Sequence, residues 1–427
     1  MRANGAYEAL LNEIRGMRVI DTHEHLPWDE RALADEPGDV LREYLAQYLR
    51  SDIISAGLSP ADFARVVDGS LPIRARWAIV EPYWEAARYT GYGRAIDIAV
   101  RGIYGIDGVR GETIEALNDA YLAARKPGHQ AHVLRERCNI EMCLTDSWDV
   151  PQSGAHDIFR FIWQPSDFIR LPEGGGAQML AFIEGTLGIP VNGLDDWQAA
   201  LEARLDGMLA HCGVRVIKCA LAYERTLRFE ETPYAEARAL FDDALGKWRA
   251  GEPAPFPRAL QDYMMHRVLT LAGKRNLTVQ FHTGLLEGNG NVLSNSDPML
   301  LENLFLRYPD VDFDLFHIGY PFQSRVSALA KMFPNVYIDM CWAHIISPSA
   351  SVQALHDFLD AVPHNKISGF GGDYVFVDGV YGHLELSRQN IAKTLSEKVC
   401  MGVFGEEKAL DIARALYYDN PKRIFKL

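Results

Sequence analysis

The chain has 427 residues, 48% of them hydrophobic and 23% charged, enough for one large or two medium domains with an ample core, which excludes a small cross-linked scaffold. Its formal charge of −14 argues against nucleic acid and anionic membranes, which attract basic patches, and leaves a small molecule as the expected partner. The 6 cysteines form no CxxC pair and several lie in apolar runs such as Glu141-Met142-Cys143-Leu144, so reduced, buried thiols and a cytoplasmic, homo-oligomeric protein are expected.

In chain order, the first residues read as a short amphipathic helix without the apolar stretch of a targeting signal, and no run reaches membrane-span length. The helix feeds Val19-Ile20-Asp21-Thr22-His23-Glu24-His25-Leu26, a β-branched run ending in His-x-His. Residues two apart on a strand point the same way, so both imidazoles can face one ion. Residues 27–136 differ in character. Asp39 to Arg50, Ser59 to Val67, Pro72 to Arg88, Gly93 to Ile103 and Thr113 to Arg125 have helical apolar spacing broken by Gly and Pro, which predicts a helical insertion capping the mouth of the site.

From residue 137 onward, short apolar runs alternate with helical stretches. Strands are predicted at Ile140 to Leu144, Phe168 to Leu171, Val214 to Leu221, Thr278 to His282, Phe313 to His317, Val336 to Met340 and Ile367 to Phe370. With the Val19 strand this is the count and order of a (β/α)8 TIM barrel built from residues 1–26 and 137–427, whose active site lies at the C-terminal strand ends. The fifth strand ends in Phe281-His282-Thr283-Gly284, the sixth in Phe316-His317-Ile318-Gly319, and the eighth in Gly369-Phe370-Gly371-Gly372-Asp373. In such a barrel His23, His25, His282, His317 and Asp373 converge.

This set resembles the amidohydrolase superfamily, on the motifs DTHEH, FHTG, FHIG and GFGGD. The nearest branch includes decarboxylases and the amidohydrolase-like domain fused to some glutamine synthetase relatives. The helical insertion and Arg88-Tyr89-Thr90-Gly91-Tyr92-Gly93 are also similar to uronate isomerases of the same superfamily. One departure is Gly372, where the branch commonly has Ser before the aspartate. The resemblance implies a divalent ion, zinc first and manganese or iron as alternatives, held by His23, His25, His282 and Asp373. Asp373 would also take a proton from the bound water, and His317 would polarise the bond under attack.

Lys218, in Val216-Ile217-Lys218-Cys219, stands where two-metal members carry a carbamylated lysine; the other reading is an ammonium paired with Asp373 or with a substrate anion. One ion is expected. Arg225 on the following loop, Tyr223 beside it, Arg170 at the end of the predicted third strand, and Trp342 and His344 after the seventh are candidate substrate contacts, with Asp146 and Trp148 as further pocket-lining positions. Gly288-Asn289-Gly290-Asn291 lacks the context of a phosphate loop and reads as a flexible loop near the mouth. The chemistry expected first is hydrolysis of an amide, ester or lactone of a small carboxylate-bearing substrate. Decarboxylation of a small aromatic or dicarboxylic acid, or isomerisation of a uronate, stands as the alternative.

Overall fold

The structure, a computed structural model, describes residues 2–30, 38–146, 157–171 and 174–427. Eight short strands follow one another: β1 Val19–Glu24, β2 Ile140–Thr145, β3 Phe159–Trp163, β4 Val216–Cys219, β5 Thr278–Phe281, β6 Asp312–Leu315, β7 Val336–Asp339 and β8 Ile367–Ser368. Each pairs in parallel with the next in sequence order. The ring is closed by main-chain bonds from Thr22 N to Phe370 O and from Asp373 N to His23 O. These strands are rich in Val, Ile and Phe because helices cover the outer face while side chains fill the centre, so neither face meets water. The architecture is the (β/α)8 barrel expected from the alternation of runs.

One strand is misplaced by the sequence reading. Phe168 to Leu171 is not the third strand: Ser166–Ile169 is a single helical turn, and Phe159–Trp163 pairs with β2 instead, Leu144 opposite Arg160. Pro165 offers no N–H to a sheet ladder and so ends the extended run, while the aromatic and β-branched Phe159-Arg160-Phe161-Ile162-Trp163 suits a pleated surface. Arg170 therefore follows a helical turn rather than a strand mouth.

Among the described residues of 27–136 there are helices but no strand. Their ends are capped by side chains the sequence supplies: the Asp39 carboxylate accepts from Leu41 N and Arg42 N, Ser59 from Asp62 N, and Thr90 from Gly93 N, satisfying donors that the first helical turn leaves open. Helix Gly91–Tyr104 packs backbone to backbone on its neighbours. A Cβ at Gly91 would lie 2.0 Å from Ile345 O, and one at Gly382 would lie 1.9 Å from Ala95 O; glycine permits this approach. The packing brings Gln47 and the helix Tyr48–Ser55 over the C-terminal strand ends.

At the opposite end of the barrel, Ile424 and Phe425 pack with Leu144, Ile162 and Val216. Lys426 Nζ bonds Asp312 Oδ2 at 2.6 Å, so the segment that follows every strand also plugs the floor.

Candidate metal centre

Parallel strands deliver the side chains at their C-terminal ends to one place, and here β1 supplies two. His23 is fully buried, and neither of its ring nitrogens has a hydrogen-bond partner among the described residues. Its Nε2 lies 3.6 Å from Asp373 Oδ1 and 3.9 Å from Asp146 Oδ2. The Nδ1 of His25 lies 3.0 Å from the main-chain O of Asp146. A carbonyl has no proton to give, so Nδ1 must carry a hydrogen, and Nε2 faces Asp373 Oδ1 at 3.3 Å, donating to it while the ring is protonated and free to bind an ion once that proton is lost.

The same logic governs the next pair. His282 Nε2 donates to Leu285 O at 2.8 Å and His317 Nδ1 donates to Cys341 O at 2.9 Å. Their remaining nitrogens, His282 Nδ1 and His317 Nε2, face each other at 3.3 Å, two lone pairs with no hydrogen between neutral rings. Burial pushes His23 and His282 well below the ordinary imidazole range and His317 down to about 4, so these rings are neutral at neutral pH. For Asp373, burial alone would raise the carboxyl, yet the hydrogen bond from His25, with the imidazoles of His23, His317 and His25 gathered around it, holds it well below the usual range. His25 is raised: burial opposes its charge, and Asp373 and Asp146 outweigh burial.

A tetrahedral ion with ligands at 2.0–2.2 Å sets its donors about 3.3–3.6 Å apart. The two separations from Asp373 Oδ1 to the Nε2 atoms of His25 and His23, 3.3 and 3.6 Å, match that spacing, and the unpartnered Nε2 of His23 is what such an ion would satisfy. The donors therefore fit a divalent metal. His23, His25 and Asp146 form one group of converging donor atoms, and His317, Cys341 and Asp373 a second.

The centre opens into a cleft of about 650 Å³ whose lining includes His25, Asp146, Lys218, His282 and Asp373 at depth and Gln47, Arg50, Arg170, Tyr223, Glu224 and Glu287 toward the mouth. Lys218 is buried at the end of β4. The Tyr223 hydroxyl accepts from Glu287 N at 3.0 Å, and its ring meets His282 edge-on at 4.9 Å. Arg170 is ion-paired with Glu224.

Three candidates are placed differently from a substrate contact. Arg225 is turned to Asp262, 2.5 Å away, and donates to the main-chain oxygens of Thr226 and Arg228; it holds its own loop. His344 is fully buried, donating from Nε2 to Gly369 O at 2.9 Å and paired through Nδ1 with Ser351 Oγ, so it supports β8 from behind. Trp342 is stacked under Tyr48 at 4.6 Å and edges His317 at 5.0 Å, backing the centre rather than lining the cleft. Trp148 lies outside the described residues. Asp146, read from the sequence only as pocket-lining, stands among the donors because β2, whose end it follows, is the neighbour of β1.

The amidohydrolase family model matches residues 188–427, more than half of the chain. The chain belongs to the amidohydrolase family. Within it, the protein is 25% identical to protein fluG of Emericella nidulans over 234 residues, 53% of this chain but only 27% of that protein. It is 22% identical to a uronate isomerase of Cutibacterium acnes over 283 residues, 62% of this chain and 58% of the relative. The chain thus spans less than two thirds of the length of these curated relatives. A solved structure of a uronate isomerase from Thermotoga maritima superposes with a TM-score of 0.80 at 18% identity, covering 99% of this chain and 97% of that one. No helix among the described residues is long and apolar enough to cross a membrane.

Behind the donors of this amidohydrolase, β1 clamps the loop that carries Asp373. Gly372 N donates to Asp21 Oδ1 at 3.1 Å, Asp373 N to His23 O at 2.8 Å and Tyr374 N to Glu24 Oε2 at 2.9 Å. The main-chain O of Asp373 accepts from Gln47 Nε2 at 3.0 Å and from the Tyr48 hydroxyl. Asp373 is thereby fixed in the left-handed region at φ 58°, a conformation non-glycine residues adopt at a cost of about 1–3 kcal/mol. A Cβ at Gly372 would lie 1.8 Å from Glu24 Oε1. A serine at 372 would need the room that the carboxyl of Glu24, between His23 and His25, fills.

A layer deeper, Asp314 of β6 and Asp339 of β7 form a buried acid pair. Burial raises Asp339 to about 6, and burial with the neighbouring Asp339 raises Asp314 well above the usual range. Raised folded-state values mean that the folded chain keeps protons the unfolded chain has lost. Stability should therefore fall as pH rises from about 4 through about 6, by on the order of 3 kcal/mol for Asp339 alone. Urea unfolding of the chelator-treated protein at about pH 5 and about pH 8 reads the slope; Asp314→Asn should flatten it, and an unchanged slope in that variant would exclude the pair as its source.

Proposed function

We propose that this amidohydrolase is a metal-dependent isomerase that interconverts an aldose uronate and its ketose. The observation that carries this reading is the set of polar side chains that line the cleft, carboxylate, amide, phenol, guanidinium and ammonium, beside the apolar Ala46, Ala220, Leu221 and Val375. A polyhydroxylated acid satisfies such a surface, whereas an aromatic acid would leave many of its polar groups unpaired. The uronate isomerases among the relatives and the helices of residues 27–136 over the mouth, which we read as the cap, support it.

His23, His25 and Asp373 would hold the ion, with zinc first among candidates for imidazole and carboxylate donors. When bound, it supplies Lewis acidity toward a substrate carbonyl. The chain's own groups then handle the protons. Isomerisation moves one proton from C2 to C1 and one from the C2 hydroxyl to the C1 oxygen. Asp373, ionised and facing the cleft, is suited to take the first, and neutral His317, with a bare Nε2, to carry the second. Arg50 and Arg170 at the rim are placed to receive the far carboxylate.

The second reading is hydrolysis of a lactone or amide, favoured by the same carboxylate beside two imidazoles. Metal-loaded protein incubated in D2O with glucuronate, galacturonate, small lactones and dihydroxybenzoates separates the readings. Ketose carrying deuterium is the expected product; titratable acid from a lactone, or released CO2, with no ketose would replace isomerisation by the corresponding alternative.

A further inference from the structure

We propose that Lys218 is a free ammonium that seats one negatively charged oxygen of the substrate beside a single metal ion, rather than a carbamate bridging two. Lys218 Nζ stands 3.4 Å from the centroid of the Phe316 ring. The face of an aromatic ring is the negative part of its quadrupole, so it attracts an ammonium and repels the anion a carbamate would place there. Phe316 precedes His317 at the end of β6, and its ring meets His23 edge-on at 4.9 Å, which fixes it between the two β-strand ends.

The second observation concerns hydrogen bonds. Lys218 is 3% exposed, and among the described residues its ammonium makes no hydrogen bond and no ion pair within 4 Å. An ammonium at a cleft wall with no protein acceptor leaves its three donors to water or to a ligand that enters the cleft. It lines the cleft alongside His25, Asp146 and Asp373, so the missing acceptor is one that enters from the cleft. Burial lowers the pKa of Lys218 below the ordinary lysine value, and the carboxylates of Asp373, Asp146 and Asp314 offset that only in part, so the ring of Phe316 and the open acceptor position, not the titration, carry the assignment. The ligand class that completes the site is a small oxyanion such as an α-hydroxy carboxylate or the oxygen of a developing enediolate. The proposal rests on the uronate reading only for the identity of that oxyanion.

The test is built on the whole, metal-loaded protein and does not read isomerase turnover, so it can fail or succeed independently of it. Carbon-13 NMR in labelled bicarbonate should show no carbamate resonance, and metal analysis should give about one ion per chain with or without bicarbonate. A carbamate signal, or a second ion that appears with bicarbonate, overturns the proposal. Glycolate titrated by calorimetry should bind the parent, bind Lys218→Met about tenfold more weakly or worse, as expected for one lost charge-assisted hydrogen bond, and bind Lys218→Arg within about threefold of the parent. Equal binding by parent and Lys218→Met, or none by the parent, also overturns it.

Discussion

Asp373→Asn should leave the barrel folded and lower turnover by about 10³-fold or more. Two losses combine in this substitution. The amide keeps the shape of the side chain but not its charge, so it would hold less tightly an ion shared between Asp373 Oδ1 and the Nε2 atoms of His25 and His23, which lie 3.3 and 3.6 Å from that oxygen. The amide also cannot accept the proton the carboxylate handles, and positioned proton transfer alone is worth about 10²–10⁴ in rate. Steady-state kinetics beside metal analysis and a thermal melt would measure all three terms. Activity within a few-fold of the parent would remove Asp373 from the reaction.

The second large effect is expected at a residue that touches no substrate. Gly372→Ser places a Cβ where Glu24 Oε1 is 1.8 Å away, and Glu24 cannot withdraw freely because its other oxygen holds Tyr374 N. The serine should cost about 1–3 kcal/mol of stability, the usual range for overpacking. It should also weaken metal binding by about tenfold or more through the displaced Asp373 loop, a loss of the size seen when groups supporting a metal ligand are removed. Glu24→Ala in the same chain should recover most of both losses, because it empties the space the serine needs; neighbours in contact are expected to be non-additive in this way. Thermal unfolding and metal titration of the two single variants and the double variant give the coupling. A Gly372→Ser protein that melts and binds metal like the parent would show that the contact does not constrain the loop.

The parts of the site that were legible in the sequence share one property: a metal-competent side chain close behind an apolar run. His282 and His317 each directly follow a Phe, while His23, His25 and Asp373 come a few residues after Val19-Ile20 and Gly369-Phe370, and an alternating barrel turns those positions toward the centre. Arg225 and His344 also come after strands, but by way of the short helical turns Leu221–Tyr223 and Ala343–Ile346, which have no such fixed direction. Side-chain partners the sequence does not pair, Asp262 and Ser351, decide where they point. The third strand was misplaced because Phe168 to Leu171 is as apolar as Phe159–Trp163, and only the pairing with β2 distinguishes them. The crowding at Gly372 was hidden for the same cause, since it depends on a residue 348 positions earlier in the chain meeting it across the barrel seam.

The plug at the floor of the barrel has a consequence for biosynthesis. Leu144, Ile162 and Val216 share their cluster with Ile424 and Phe425, and Tyr337 and Leu427 pack against it. While the ribosome is still making the outer helices, a nascent chain with all eight strands complete would still present this greasy opening. Partly made chains are then the form most exposed to aggregation and to capture by chaperones.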